Sequence, residues 1–343
     1  MAITRLDPTR TTTIRNQYMA EMRRRFFTVR SNTTKAIWKL DALGLNENEP
    51  FTFNEKLLTA NQLPERQAWR FRTNSEKLTA FKEWFQHQID QEILTVDVAG
   101  NPWSAQYVNS AYRKGAVSSF NNTHVEALTD SPDFFLGTRA QFIESAFTQP
   151  EMVSKIQFLY TRSFEELEGI NAAMSQQVGR VLANGLAEGR GARAIAREMS
   201  NTITGIVNKR ALVLARTEII AAHAEGQLDA LEMLGVKEVV ADVEWSTAED
   251  ELVCRLCEDL EGAVFTIEQA RGLIPRHPNC RCAWIPANVG ERSKKAMGKA
   301  KAQTAGKVQR SLKSELPLMS DGVEVPQTIG EAKKRSTWPG KNL

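Results

Sequence analysis

The sequence predicts an α+β protein, mainly α, with a helical N-terminal body, a small β-containing module and a flexible basic tail. Three observations carry this. Apolar residues recur at helical spacing through most of the first 234 positions. All four cysteines fall within 29 consecutive residues, among short β-type runs. Beyond residue 288 the chain turns basic and poor in apolar side chains. With 42% hydrophobic and 25% charged residues the composition is that of an ordinary folded chain, and 343 residues suffice for two or three units. The divisions fall at 1–204, 205–287 and 288–343.

The first helix is read from Ile14, Tyr18, Met22, Phe26, Val29 and Ile37, mostly three or four apart. It is basic, through Arg10, Arg15, Arg23, Arg24, Arg25, Arg30, Lys35 and Lys39; residues 1–40 hold nine Lys/Arg and two acids. A solvated helix face accounts for such charge, and contact with DNA or an acidic partner is the functional alternative. Leu78, Phe81, Phe85, Ile89 and Ile93 predict a second helix, and Tyr107–Gly115 opens a third. Trp69, Phe71, Phe81, Trp84, Phe85 and Trp103 are expected in the core. Ser163 and Glu166 have capping-box spacing, so a helix is expected to start there and to bury Leu167, Ile170, Met174, Val178, Val181 and Leu182. Gly185 and Gly189 mark its end, and a short helix follows through Ile195 and Met199.

A longer helix is predicted from Val207 to Leu234, closed by Gly235. Its Ala215, Ile219, Ala222 and Gly226 form a stripe of small and apolar residues that permits close packing. Within it, Arg216, Thr217 and Glu218 splay over nearly a full turn, so they cannot converge on one small substrate. They are expected to be a polar anchor toward the following module, with Arg216 bonding a carboxylate or carbonyl. His223 is expected on the helix surface.

The module is built around Cys254, Cys257, Cys280 and Cys282, with His277 just before the second pair. The pattern is C-x2-C, 22 residues, then C-x-C. Two short thiol pairs joined by a loop suit a tetrahedral structural zinc ion, Zn2+, which takes soft N/S ligands. Buried free thiols and disulfides are the other readings. The opening MAITRLDPTRTTTIRNQ lacks the apolar stretch of a signal peptide, so an oxidising compartment is not expected. Cys254, Cys257 and Cys280 are the firm candidates, and the fourth position stays open between His277 and Cys282. Four protein ligands would leave no place for a reacting water. Strands are expected at 239–245, 263–265 and 283–285. So small a sheet has little core of its own, and the ion is expected to supply much of its folding energy.

Charge is unevenly spread. Residues 41–285 hold 23 basic and 34 acidic residues, whereas 286–343 hold twelve and five. From Val289 to Lys313 there are eight basic residues, one acid and no aromatic, which predicts a loose tail. Such a segment suits nonspecific phosphate contact, without base stacking or sequence readout. No run approaches 18 apolar residues, so no membrane span is expected.

Taken in order, Arg216-Thr217-Glu218, Trp245-Ser246-Thr247, Asp250, Val253-Cys254-x-x-Cys257, Leu260-x-Gly262-x-x-Phe265 and Pro275-x-His277-Pro278-Asn279-Cys280-Arg281-Cys282 resemble the phage Mu F-like head morphogenesis family. The resemblance covers about 205–287. It implies a minor head protein that acts in capsid assembly and in genome packaging or delivery. Such a protein would reside in the virion, inside the head near the portal, and in host cytoplasm during assembly. The implied partners are the phage portal protein, capsid or scaffold subunits, and packaged DNA through the basic termini. One departure is Arg276, where a bulky apolar residue would be unsurprising. Arg276 and Arg281 are expected at the module surface.

Catalytic motifs are missing from the sequence: there is no G-x-x-x-x-G-K-[ST], H-E-x-x-H or G-x-S-x-G, and the order of C-x-x-C is wrong for a zinc deaminase. The enzymatic alternative is a metal-dependent nuclease or other hydrolase using His277 with Asp250 and Glu251, which would require an open coordination position. A non-catalytic DNA-binding module is a further alternative. The expectation is a protein that is not an enzyme.

Overall fold

The computed structural model describes residues 7–45, 71, 73–125, 135, 137–234, 242–248 and 250–287. The basic tail 288–343, Trp69, Gly235 and the expected strand residues 239–241 lie outside them. The described residues are mainly helical with one three-stranded antiparallel sheet. They divide into two compact units. One contains the described residues of Tyr18–Trp103 and Thr161–Ala215, and the other those of Met1–Gln17, Ser104–Tyr160 and Arg216–Leu343. No helix among the described residues is long and apolar enough to cross a membrane.

The all-helical unit is built on α1 (Thr12–Thr34), which continues through a π-turn at Lys35–Lys39. The spacing that predicts α1 also gives its buried face: Tyr18, Met22, Phe26 and Val29 are fully enclosed. Part of its basic face is used internally. Arg25 donates to Glu92 O at 2.7 Å and lies over the Trp103 ring at 4.3 Å, and Arg30 donates to Thr204 Oγ1 at 3.1 Å. Helix α2 (Asn74–Glu92) is N-capped by Thr73 and buries Phe81, Trp84, Phe85 and Ile89.

Ser163 does not start a helix. Helix α5 runs from Pro150 to Ala187, because proline fixes φ for a first helical position and the apolar face is already established there. Ser163 is buried in mid-helix, with its hydroxyl 3.4 Å from Tyr18 Oη. Gly185 also lies inside α5, where its bare Cα accommodates the Ile195 side chain. The helix ends short of Gly189, whose φ of +65° an L side chain would resist. Helix α6 (Ala192–Ile206) passes through a π-turn, Val207–Ala211, into α7 (Leu212–Met233). The long helix predicted from Val207 therefore has an under-wound first turn.

The second unit packs α3 (Ala105–Val125), α4 (Arg139–Thr148) and the body of α7 with the sheet. Helix α4 opens with a capping box between Thr138 and Gln141. Helices α3 and α7 approach so closely that a Cβ on Gly115 would stand 2.0 Å from His223 O, and one on Gly226 2.1 Å from Tyr112 O. Strands β1 (Asp242–Ser246), β2 (Val264–Thr266) and β3 (Ala283–Pro286) are ordered β2-β1-β3, with Val243 opposite Phe265 and Trp245 opposite Trp284. Trp245, Phe265 and Trp284 meet edge-on or tilted at centroid distances of 5.3 to 6.5 Å. The expectation that this sheet has little core of its own is corrected. Phe120, Phe142, Ile220, Leu228 and Leu231 of the helices form one apolar cluster with Trp245, Trp284, Cys257, Cys280 and Cys282.

Candidate metal centre

Two tight turns build the site. Cys254, in extended conformation, caps the one-turn helix Arg255–Glu258, and its carbonyl accepts from Cys257 N at 3.0 Å and Glu258 N at 2.9 Å. That turn brings the Cys254 and Cys257 side chains to one side. The second turn is His277-Pro278-Asn279-Cys280, closed by Cys280 N donating to His277 O at 3.1 Å. Asn279 takes a φ of +64° there, a conformation that asparagine tolerates better than most residues. The turn is tied to the first turns of α7: Arg216 Nη1 donates to Asn279 Oδ1 at 3.2 Å, and Asn279 N to Thr217 Oγ1 at 3.3 Å. The polar anchor expected of Arg216 and Thr217 is present, with a side-chain amide oxygen as acceptor.

Five candidate donors form two overlapping groups that share Cys257. Cys254, Cys257 and His277 make one, and Cys257, Cys280 and Cys282 the other; within each, the donor atoms lie within 4.8 Å of one another. His277 Nε2 is 3.1 Å from both Cys254 Sγ and Cys257 Sγ, and Cys257 Sγ is 3.9 Å from Cys280 Sγ. The edges of a tetrahedral zinc site are about 3.8 Å for S···S and about 3.5 Å for S···N, from the usual bond lengths. The thiol pair is at that spacing and the imidazole contacts are closer. His277 Nδ1 lies 2.8 Å from Pro278 O. A carbonyl only accepts, so Nδ1 carries the proton and the Nε2 lone pair faces the thiols, which is the tautomer a metal requires.

Hydrogen bonding sets the thiol acidities apart. Cys280 is held well below the usual thiol range because it accepts from the Cys257 and Cys282 side chains and from the backbone N–H groups of Cys282 and Arg276. Cys257, donating to Cys280, is pushed up. All four cysteines are free thiols, and only Cys254 is partly exposed. Such a set of donors can hold a metal ion.

Other sequence-selected residues fall differently. Arg276 is buried at 8% exposure rather than displayed at the surface, and that burial lowers its pKa against the opposing charges of Cys257, Cys254 and Cys280. Arg281 is half-buried and holds Asp250 with two bonds, Nη1 to Oδ2 at 2.6 Å and Nη2 to Oδ1 at 2.5 Å. Asp250 sits below the ordinary carboxylate range for that reason. Neither group of candidate donors includes Asp250 or Glu251. His223 is fully buried against α3 rather than on the helix surface, since the close α3–α7 approach encloses that face.

Two features of the site have no counterpart in the sequence reading. The buried Gln227 side chain bonds both backbone groups of Trp284, donating to its carbonyl at 2.8 Å and accepting from its N–H at 3.0 Å, which ties α7 to β3. Arg271 pairs with Glu225 at 3.1 Å, with Asp229 at 2.7 Å and with Glu232, while Gly272 N donates to Glu225 Oε1 at 3.0 Å. Asp229 also accepts from Lys155 at 2.7 Å and from Tyr112 Oη at 2.5 Å. This network fixes the loop that leads into His277. Its trace in the sequence is Glu225, Asp229 and Glu232, spaced four and three apart on α7.

Residues 176–285 match the family model described as Phage Mu protein F like protein. The resemblance read from residues 205–287 is thereby shown, and it extends back into α5 and through α6. The matched stretch contains Cys254, Cys257, His277, Cys280 and Cys282. No curated protein and no solved structure matches the chain.

Proposed function

We propose that this chain is a phage head morphogenesis protein, a minor component of the virion assembled with the portal, whose metal centre is structural. The observation that carries the reading is coincidence: the Phage Mu protein F like segment at 176–285 encloses the whole Cys/His cluster. In this proposal Cys254, Cys257, His277 and Cys280 hold zinc, Cys282 supports Cys280, and the module keeps the form of a docking surface. The ion's contribution is to cross-link two turns that the sheet and α7 bring together.

No catalytic step is assigned. A hydrolytic metal would need an open position and a base, whereas the donors here are thiols and one imidazole, and the nearby Asp250 is committed to Arg281. In host cytoplasm the protein would join the procapsid through the portal, with capsid or scaffold subunits and packaged DNA as further contacts.

The test is genetic and structural. A phage lacking this gene should yield empty or misassembled heads, and the purified chain should co-sediment with portal oligomers. Normal infectious particles from the deletion, with no association to portal, would refute the proposal.

A further inference from the structure

We propose that the seam formed by α1, its π-turn and α6 is a binding surface for single-stranded nucleic acid, with Trp38 as the platform on which a base stacks. The seam is strongly cationic. From Met22 to Leu40 the chain holds six basic residues and no acid. Arg24 and Arg25 are used internally, on Glu21. The π-turn Lys35–Lys39 packs against α6, which adds the exposed Arg193 and Arg197, one turn apart. The one acid of α6, Glu198, is held by Arg190. Among the described residues, Lys35, Lys39, Arg193 and Arg197 have no carboxylate partner, so their charge is left for a ligand.

Trp38 stands among these cations and is 40% exposed, whereas Trp84, Trp245 and Trp284 are buried. The Arg193 guanidinium lies 5.2 Å from the centre of its ring. Farther along the seam the arrangement repeats, with Arg30 at 4.0 Å over the Phe27 ring and donating to Thr204 Oγ1 on α6. From Arg30 to Trp38 the contacts on α6 pass back from Thr204 to Arg193, so the two segments run antiparallel. The two arginine–aromatic pairs follow one another along them, about 16 Å apart at the helical rise. Such a row alternates flat rings with positive charge, as a nucleic-acid strand alternates bases with phosphates. Base–aromatic stacking tolerates any sequence, and arginine reinforces it. A duplex keeps its base faces covered and would leave the Trp38 ring unused. An acidic protein surface would engage the cations without calling for a flat ring beside them. The proposal goes beyond the head-protein reading and does not depend on the metal centre.

The experiment titrates the full-length chain with a short oligothymidylate, with a duplex of the same length and with polyglutamate, following tryptophan fluorescence and, separately, affinity at several salt concentrations. The oligothymidylate should quench part of the emission, and Trp38→Phe should abolish that part while binding within about threefold of wild type. Trp38→Ala should bind the oligothymidylate about tenfold more weakly and the duplex unchanged. Arg193→Gln with Arg197→Gln should weaken binding about tenfold and lower the salt slope by about 1.4, the share of two phosphates of a single strand. If Trp38→Ala does not fold, as read from circular dichroism, the Phe variant and the arginine pair decide. Oligothymidylate binding that none of these variants changes would overturn the proposal, because the cations elsewhere in the chain would then account for it. Equal sensitivity of duplex binding to Trp38→Ala would overturn the stacking. Polyglutamate that quenches Trp38 as the oligothymidylate does would assign the surface to an acidic protein and overturn the proposal as well. None of these results bears on the deletion and portal test above, so the two readings fail separately.

Discussion

At the scale of single residues, the buried polar groups of α7 carry the sharpest consequences. Enclosure of His223 pushes its pKa down to about 4, with Asp7 opposing and Lys114 and Arg15 reinforcing the shift. The unfolded chain binds this proton near pH 6.5 and the folded chain does not. Stability from this group is therefore full above pH 6.5 and declines as pH falls toward 4, by about 3 kcal/mol in all. Urea unfolding from pH 7 to 4 should show His223→Gln losing that part of the slope; parallel slopes would sink the claim. Arg271 is the partner of largely buried carboxylates, so Arg271→Leu takes the arginine from Glu225 and leaves Asp229 with Lys155 and Tyr112 only. The expected cost is about 3 kcal/mol, read as a shift in the denaturation midpoint. A change below about 0.5 kcal/mol would mean that the network is solvated.

At the scale of elements, α7 is the piece on which the site is assembled. Its small face admits α3 at backbone contact, its Gln227 completes the edge of β3, and its Arg216 and Thr217 hold the His277-Pro278-Asn279-Cys280 turn. Gly226→Ala should be severe, because the new methyl meets a backbone carbonyl that cannot swing aside. A loss of about 3 kcal/mol or more is expected in thermal unfolding, with Ala→Gly changes on the solvent face of α5 costing only about 1 kcal/mol for comparison. If Gly226→Ala melts with the wild type, the close approach of α3 and α7 is wrong. Periodicity made α1, α2 and α3 legible, whereas α7, buried at every position from Glu218 to Leu231, was legible from its run of small and apolar residues. Spacing misplaced the start of α5, because Ser163 and Glu166 satisfy a rule that a helix already under way does not need.

At the scale of the whole molecule, the core of the sheet-bearing unit runs from Phe120 and Phe142 on the helices to Trp284 on the sheet. Removing the proposed zinc should accordingly loosen the two cysteine turns without dissolving the helices. Chelation is expected to leave the helical ellipticity nearly unchanged, to alter the near-ultraviolet signal of Trp245 and Trp284, and to expose thiols to alkylation. Cooperative loss of helix on chelation would contradict the shared core. Cys282→Ser should keep one equivalent of zinc, whereas Cys254→Ser or Cys257→Ser should lose it; the reverse pattern would reassign the ligands.

The sequence by itself determined the class of fold, the helices with a continuous apolar stripe, the three short strands and the set of five metal-donor candidates. These are local properties: a stripe, an alternation or a C-x-x-C turn is written in neighbouring positions. Tertiary structure alone decided that Arg276 and His223 are buried, that His277 Nε2 faces two thiols, and that Gln227 and Arg271 fasten α7 to the module. Those outcomes depend on which distant segment covers a side chain and whether its charge or hydrogen bond is met there. Residues such as Arg271 and Glu225, 46 positions apart, are brought together only by packing.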